Sequence, residues 1–281
     1  MKKVLSLDIG GTNTRLALIN DKFEIEQLEI VPTKRNSTQN FLDNIDVLLS
    51  HFNIAEVNSI GVGIPGVCDR KLGYIKTMPN AQLKDVPLGE YIFNKYQKHV
   101  YMRNDAEMAS LAEAYIGKGK DYNRVFFITI STGLGGALVV DKKNQDYVTE
   151  IGHTAYCYKG KWTEYEHLAS GDYIKDLAKL NGLTIANSQE FFNLIREKDE
   201  KALMVYHEWL NVLSDFLTLV VNSYQPDIIT VTGGVMKSKD IFFEDLKNLH
   251  KEVRIVECGT KENAGLIGGA IYAFQCEKNE K

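Results

Sequence analysis

The chain has 281 residues, enough for one large domain or two of ordinary size. Its 44% hydrophobic and 25% charged content is that of a globular protein, and a net charge of −4 without a basic stripe excludes the footprint of a nucleic-acid partner. No apolar run nears membrane-spanning length, residues 4–7 are too short for a signal-peptide core, and Cys68, Cys157, Cys258 and Cys276 form no CxxC pair, so neither a membrane anchor, a disulfide framework nor a Cys-rich metal site is indicated and the cytoplasm is the expected compartment.

Residues 4–7 read as a buried strand that enters a Gly10-Gly11 turn and returns over 14–19, with glycine expected where φ must be unusual. Residues 25–31 suit a third strand. Ser37 and Thr38 offer N-caps for a helix whose apolar positions Phe41, Ile45, Leu48, Leu49 and Phe52 keep the helical period. A short strand, 59–63, runs into the irregular loop Gly63-Ile-Pro-Gly66. Residues 70–73 read as a turn and 78–80 as a second irregular point. Pro87 opens a helix to about residue 98. A strand over 99–103 ends at Asn104, and a helix follows over 106–116.

Residues 117–122 form a polar linker. The strand 125–130 is the clearest in the chain; it leads into Ser131-Thr-Gly-Leu-Gly-Gly136 and a strand over 137–140. Strand, glycine turn and small-residue strand thus occur twice, a weak internal repeat of two related halves. Glu150-Ile-Gly-His153 is irregular, and Glu166 to Gly171 leads into helices. The longest helix spans about 200–223. Its apolar face, which includes Trp209, Leu213, Phe216 and Val220, is too wide for a dimer seam and suits the chain's own core. A strand over 227–232 enters Gly233-Gly234. A helix (241–249), a strand (254–257) and a closing helix with a small-residue face (264–274) complete the chain.

The centre of this pattern is Asn104-Asp105. One carboxamide and one carboxylate stand where a strand gives way to a helix, the place where open α/β folds bind ligands. Taken alone, Asp105 would serve as a helix N-cap. Glycine-rich turns on both sides change that reading. Three such turns, each after a strand, let backbone N–H groups approach phosphates. None matches the Walker A pattern, and Gly133-Leu-Gly135 leads into a strand rather than a helix, which disfavours a dinucleotide reader. The combination points to phosphoryl transfer with Asp105 as base.

These motifs resemble the ROK family of sugar kinases, within the actin-like ATPase superfamily. Asp8-Ile-Gly-Gly-Thr-Asn-Thr-Arg15 resembles the first phosphate motif, Ile130 to Ala137 the second, and Val231-Thr-Gly-Gly-Val-Met236 the adenosine motif. Gly63-Ile-Pro-Gly66, Asn80, Asn104-Asp105, Glu150-Ile-Gly-His153 and Glu166 resemble the sugar-binding set. The matches run in family order from residue 5 to about 270.

The resemblance implies an α/β fold of the two-lobed actin-like (ribonuclease H-like) kind, with mixed sheets flanked by helices. It implies a smaller lobe of 1–104 plus the C-terminal helix (about 265–281), a larger lobe of 105–264, and an active site in the cleft between. The implied activity is ATP-dependent phosphorylation of the 6-hydroxyl of an aldohexose or N-acetylhexosamine in sugar catabolism, as in glucokinases, N-acetylmannosamine kinases or allose kinases. Asp105 is the implied base. Gly63, Pro65, Gly66, Asn80, Asn104, Asp105, Glu150, His153 and Glu166 are the implied sugar contacts. Asp8, Gly10, Gly11, Thr12, Asn13, Arg15, Thr132, Gly133, Gly135, Gly233 and Gly234 are the implied ATP contacts, and Asp8 reaches Mg²⁺ through water. A homodimer, with no nucleic-acid or membrane partner, is implied too.

One departure stands out. Family members carry a Cys-rich zinc loop between the counterparts of His153 and Glu166, whereas this interval is short and holds only Cys157. No zinc is expected, and His153 is expected to be held by other contacts. The family also includes sugar-responsive repressors, but the first phosphate motif begins at Asp8, which leaves no room for a DNA-binding module. A non-catalytic sugar sensor is the alternative, opposed by the presence of both Asp8 and Asp105. An assembly ATPase is opposed by the Glu150, His153 and Glu166 set.

Overall fold

Apolar residues on both faces of the first strand call for cover on both sides, and they receive it. In the computed structural model, which describes residues 1–145 and 150–279 apart from the Asn80 side chain, β1 (Lys3–Ile9) pairs antiparallel with β2 (Asn13–Asn20), and β2 with β3 (Ile25–Pro32). Helix α1 (Thr38–Ser50) follows, with the Ser37 hydroxyl accepting from the Asn40 N–H as its N-cap. Strand β4 (Ser59–Ile64) runs parallel to β1. Strands β5 (Val67–Asp69), β6 (Tyr74–Met78) and β7 (Leu83–Val86) form a separate three-stranded sheet. Helix α2 (Leu88–Tyr96) leads to β8 (His99–Asn104), which is parallel to β4, and to α3 (Asp105–Ile116). The five-stranded sheet has the order β3-β2-β1-β4-β8.

Leu5, Leu7 and Ile9 of β1 pack with Phe41, Ile45 and Leu48 of α1 on one face of this sheet. Val4 packs on the other face with Ala17, Ile19 and the C-terminal helix Ala264–Asn279. The period of two in strand side chains makes this possible. The small residues of that last helix allow its backbone to approach: a Cβ on Gly61 would collide with the Gly269 carbonyl, and one on Gly268 with the Met108 carbonyl.

The second unit repeats the design. Strands β9 (Arg124–Ile130), β10 (Leu134–Val140) and β11 (Lys143–Asn144) form antiparallel neighbours. A hairpin of β12 (Ala155–Tyr158) and β13 (Lys161–Glu164) follows. Then come α4 (Glu166–Ala169), α5 (Ile174–Leu180), α6 (Ser188–Arg196) and α7 (Glu200–Tyr224). Strand β14 (Ile228–Thr232), α8 (Lys239–Leu249) and β15 (Arg254–Glu257) complete it, and the C-terminal helix is α9. The sheet order is β11-β10-β9-β14-β15, antiparallel on one side of β9 and parallel on the other. This is the order and sense of the first sheet, so the internal repeat read from the sequence is a repeat of topology.

The wide apolar face of α7 lies in its own unit: Val205, Trp209, Leu213, Phe216 and Val220 are fully buried, and the Trp209 indole donates to the Ala169 carbonyl at 3.0 Å. The core reading of that helix therefore holds over a dimer seam. The two units comprise Met1–Tyr115 with the chain from Thr260, and Ile116–Gly259. Helix α3 thus falls with the first unit, where the sequence reading opened the second at residue 105. No described helix is long and apolar enough to cross a membrane.

Three local expectations are corrected. Gly10 and Gly11 do not adopt positive φ; Gly10 is small because a Cβ would lie 2.9 Å from the Asn13 carbonyl oxygen. Of the glycines in the three turns only Gly233, at φ 109°, uses the left-handed region. Residues 67–86, where only a turn and an irregular point are read, hold the three-stranded sheet, and residues 155–164, where no element is read, hold the β12–β13 hairpin. The hairpin turns at Lys159 and Gly160 with φ 48° and 78°, the primed geometry that matches strand twist. Its Tyr156 and Tyr158 hydroxyls donate to Asp215 (2.6 Å) and Glu208 (2.9 Å) of α7.

Candidate active site

In the first unit the parallel strands β1, β4 and β8 end side by side. Asp8 is opposite Gly63, and Ile64 opposite Asn104, so these residues share the C-terminal edge of the sheet. The position a Gly63 Cβ would take lies 3.8 Å from Asp8 Oδ1 and 3.7 Å from the Asp105 Cα. Asp8 and Asp105 are therefore near neighbours, and a Cβ at residue 63 would touch both at van der Waals distance.

The β1–β2 turn is tied back by its carbonyls. Gly10 O accepts from the Thr33 hydroxyl (2.7 Å), Gly11 O from Arg35, and Thr12 O from the Thr33 N–H (2.8 Å). The N–H groups of Gly11 and Thr12 have no acceptor among the described residues. Two adjacent free donors on an anchored turn suit an anion. Asn13 opens β2, and its carbonyl accepts from the Gly10 N–H at 2.8 Å.

Asp8 lies at the mouth of this turn. Burial pushes its carboxyl above the usual carboxylate range, and the Arg15 guanidinium 3.8 Å away opposes that shift. Arg15 itself is held by the Glu262 carbonyl (2.5 Å) and the Asn263 side chain, just ahead of α9. A Cβ at Gly265 would sit 3.0 Å from the Asp8 carboxylate oxygens. No hydrogen bond is made to those oxygens among the described residues, which leaves their lone pairs for a hydrated cation. Magnesium, which prefers one or two carboxylates and several waters, fits that donor set.

Asn104 and Asp105 divide the work of the β8–α3 junction. Asn104 Oδ1 accepts from the Ala106 N–H at 2.9 Å, while its Nδ2 donates to the Gly66 carbonyl at 3.3 Å. Asp105 Oδ1 accepts from the same Ala106 N–H at 2.8 Å, so the two side chains share this donor. Glu107, buried at 4% exposure, reaches back to the Asn104 N–H at 3.1 Å and accepts from Arg70 (2.6 Å) and Arg103 (3.1 Å). It is a residue the sequence reading missed, although Asn104-x-x-Glu107 has the spacing of a capping box. Through Arg70 and Gly66 the loop after β4, with Pro65, is locked to the β8–α3 junction. Asn80 lies in the 3₁₀ turn Pro79–Ala81.

The second unit carries a matching turn. The Ser131 N–H donates to Gly133 O (2.8 Å), and Ser131 O accepts from the Gly171 N–H (2.6 Å). The N–H groups of Thr132 and Gly133 have no acceptor among the described residues. The Leu134 N–H donates to Glu166 Oε2 at 2.9 Å, and a Cβ on Gly133 would lie 2.6 Å from that oxygen. Glu166 therefore braces the turn with one oxygen and leaves Oε1 for a ligand. Gly135 lies within β10, facing Thr129.

Glu150 heads the 3₁₀ turn Ile151–His153. His153 Nδ1 is 2.7 Å from Glu164 Oε2, at the end of the β12–β13 hairpin. That hydrogen bond raises the His153 pKa; partial burial opposes it, and the charges of Glu166, Glu164 and Glu150 add to it. The pair's stabilisation is therefore complete below the usual value of 6.5 and is lost as pH rises through the raised one. In an NMR titration His153 should have a midpoint above 6.5, and Glu164→Gln should lower it. A wild-type midpoint at or below 6.5 would contradict the pairing. No three or more His, Cys, Asp or Glu side chains among the described residues are placed to hold a metal ion.

A cavity of about 490 Å³ opens in the second unit, a size that suits a nucleotide moiety. Ser131, Thr132, Gly171 and Gly234 form one part of its wall. Gly233 follows β14, and a Cβ there would collide with the Ile130 backbone. Gln189, Asn193 and Arg196 of α6 form another part of the wall. In sequence these three are only the polar face of a helix, so they were not singled out.

Two mixed five-stranded sheets of one topology, each ending in an anion-type turn, define an actin-like ATPase fold. The sequence pattern of the ROK family matches residues 4–275, nearly the whole chain. The chain is 27% identical to a glucokinase of Halalkalibacterium halodurans, covering 98% of this chain and 96% of that protein. It is 26% identical to an N-acetylmannosamine kinase of Haemophilus influenzae over 96% and 95% of the two chains. It superposes on the crystal structure of a ROK hexokinase from Thermus thermophilus with a TM-score of 0.83, at 24% identity and 99% coverage of both. The chain belongs to the ROK family.

Proposed function

We propose that this protein transfers the γ-phosphoryl group of ATP to the 6-hydroxyl of an aldohexose or an N-acetylhexosamine. The observation that carries the reading is that each unit has an anchored glycine turn with two adjacent free N–H groups, and that in the first unit the Asp8 carboxylate, with Arg15 3.8 Å away, lies at that turn. Phosphoryl transfer needs little covalent chemistry from the protein; positioning and charge neutralisation do most of the work. The protein is a sugar kinase of its family.

Asp105 accepts the proton of the attacking hydroxyl. Asn104, its amide oriented by Gly66 and Ala106, holds a sugar hydroxyl with its second N–H. Gly63, Pro65, Gly66 and Asn80 shape the sugar loop, and Glu150, His153 and Glu166 bind further hydroxyls. His153 Nε2 has no hydrogen-bond partner among the described residues, and Nδ1 is fixed by Glu164. The turns at Gly10–Thr12 and Thr132–Gly133 hold phosphates, with Asn13, Arg15 and Gly135 supporting them, while Gly233 and Gly234 border the nucleoside. Magnesium, when bound beside Asp8, neutralises phosphate charge. The protein works in cytoplasmic sugar catabolism, as a homodimer, and without zinc.

The test is ADP release with Mg-ATP over a panel of hexoses and N-acetylhexosamines. One sugar should stand well above the others, because a polar site strongly rejects a misplaced hydroxyl. Flat, sugar-independent rates would overturn the reading.

A further inference from the structure

The cavity of the second unit has two chemically different parts. One presents the backbone of the Ser131–Gly133 turn and Gly234; the other presents the face of α6. On that face Arg196 is held at all three of its nitrogens. Its Nε and Nη2 donate to Asp240 Oδ2 (3.1 Å) and Oδ1 (2.9 Å) at the head of α8, and its Nη1 donates to Asn193 Oδ1 (3.0 Å). A guanidinium can only donate. The Asn193 amide must therefore turn its oxygen to Arg196. Its Nδ2 group, with no acceptor among the described residues, is left as a donor on the cavity wall.

We propose that this oriented donor selects the base of the bound nucleotide, favouring adenine over guanine. With phosphates at the glycine turns, the purine edge farthest from the ribose points to α6. On that edge adenine N1 is an acceptor, whereas guanine N1 carries a hydrogen and its acceptor is O6 on the neighbouring carbon, so a donor placed to meet N1 suits adenine and would need guanine to shift. The Asn193 N–H pairs with the first and opposes the second. Asn193 is the specificity-determining residue; Arg196 and Asp240 are positioning residues that keep its amide from flipping. The inference rests on the kinase reading, because the cavity must hold a nucleotide.

The experiment is titration calorimetry of the full chain with Mg-ADP and with Mg-GDP. A donor covered by the base and left facing another donor is discriminated against by roughly tenfold, so the wild type should bind ADP about that much more tightly. Asn193→Asp should bring the ratio to about one or below, because the carboxylate can hold Arg196 and still accept from guanine N1–H. Arg196→Met should relax the ratio while ADP binding persists, which loss of packing alone would not do. Asn193 and Arg196 are exposed, so these changes leave the core intact. Equal wild-type binding of both nucleotides, or a ratio unmoved by Asn193→Asp and Asn193→Ala, would overturn the inference and leave the kinase reading standing. Binding of neither would remove both.

Discussion

Asp105→Asn is expected to lower turnover by about 10²- to 10⁴-fold, the usual contribution of a general base, while sugar affinity changes little. The amide keeps the size and hydrogen-bonding reach of the carboxylate but cannot take a proton at neutral pH. The local fold should tolerate it, because the start of α3 is also held by Asn104 Oδ1, which accepts from the Ala106 N–H at 2.9 Å, and by Glu107, which reaches back to the Asn104 N–H at 3.1 Å, and an asparagine at 105 keeps the oxygen that accepts from Ala106 at 2.8 Å. The loss should therefore appear in kcat, with the sugar Kd from calorimetry close to that of the wild type. That division marks an interaction made only in the transition state. Turnover within tenfold of the wild type would take the base role away from Asp105.

Gly61→Ala should destabilise the first unit by about 1–3 kcal/mol, the cost of overpacking a filled interior. The new methyl would collide with the Gly269 carbonyl, which is backbone and cannot rotate aside. Strand β4 and helix α9 would have to separate. At about 2–4 °C per kcal/mol for a chain of this size, the melting temperature should fall by several degrees. The change reaches the site as well: Gly265, at the start of α9, lies against the Asp8 carboxylate, so KM for ATP should rise. Thermal melts and ATP titrations measure the two effects. A melting temperature within a degree of the wild type would mean that α9 gives way freely.

Much of the fold was legible in the sequence because the relevant signals are local. Full-period apolar runs marked β1, β9 and α7, and glycines after strands marked the turns. The doublet Asn104-Asp105 marked the junction of β8 and α3 by an abrupt change of period. The β12–β13 hairpin was not legible: its strands are four residues long, and its partners Asp215 and Glu208 lie about fifty residues downstream on α7. The small sheet β5–β7 escaped for the same reason of length.

By itself, then, the sequence determined which chemical groups are available: two glycine turns with free donors, a carboxylate at each strand end, and their order along the chain. Only the tertiary structure decided how those groups are used. It divided the Ala106 N–H between Asn104 and Asp105, assigned Glu164 to His153, braced the second turn with Glu166, and turned the polar face of α6 into a cavity wall. Each of those outcomes depends on the direction of a side chain toward a partner distant in sequence or on a competition between neighbours for one N–H group, and residue spacing carries no record of either.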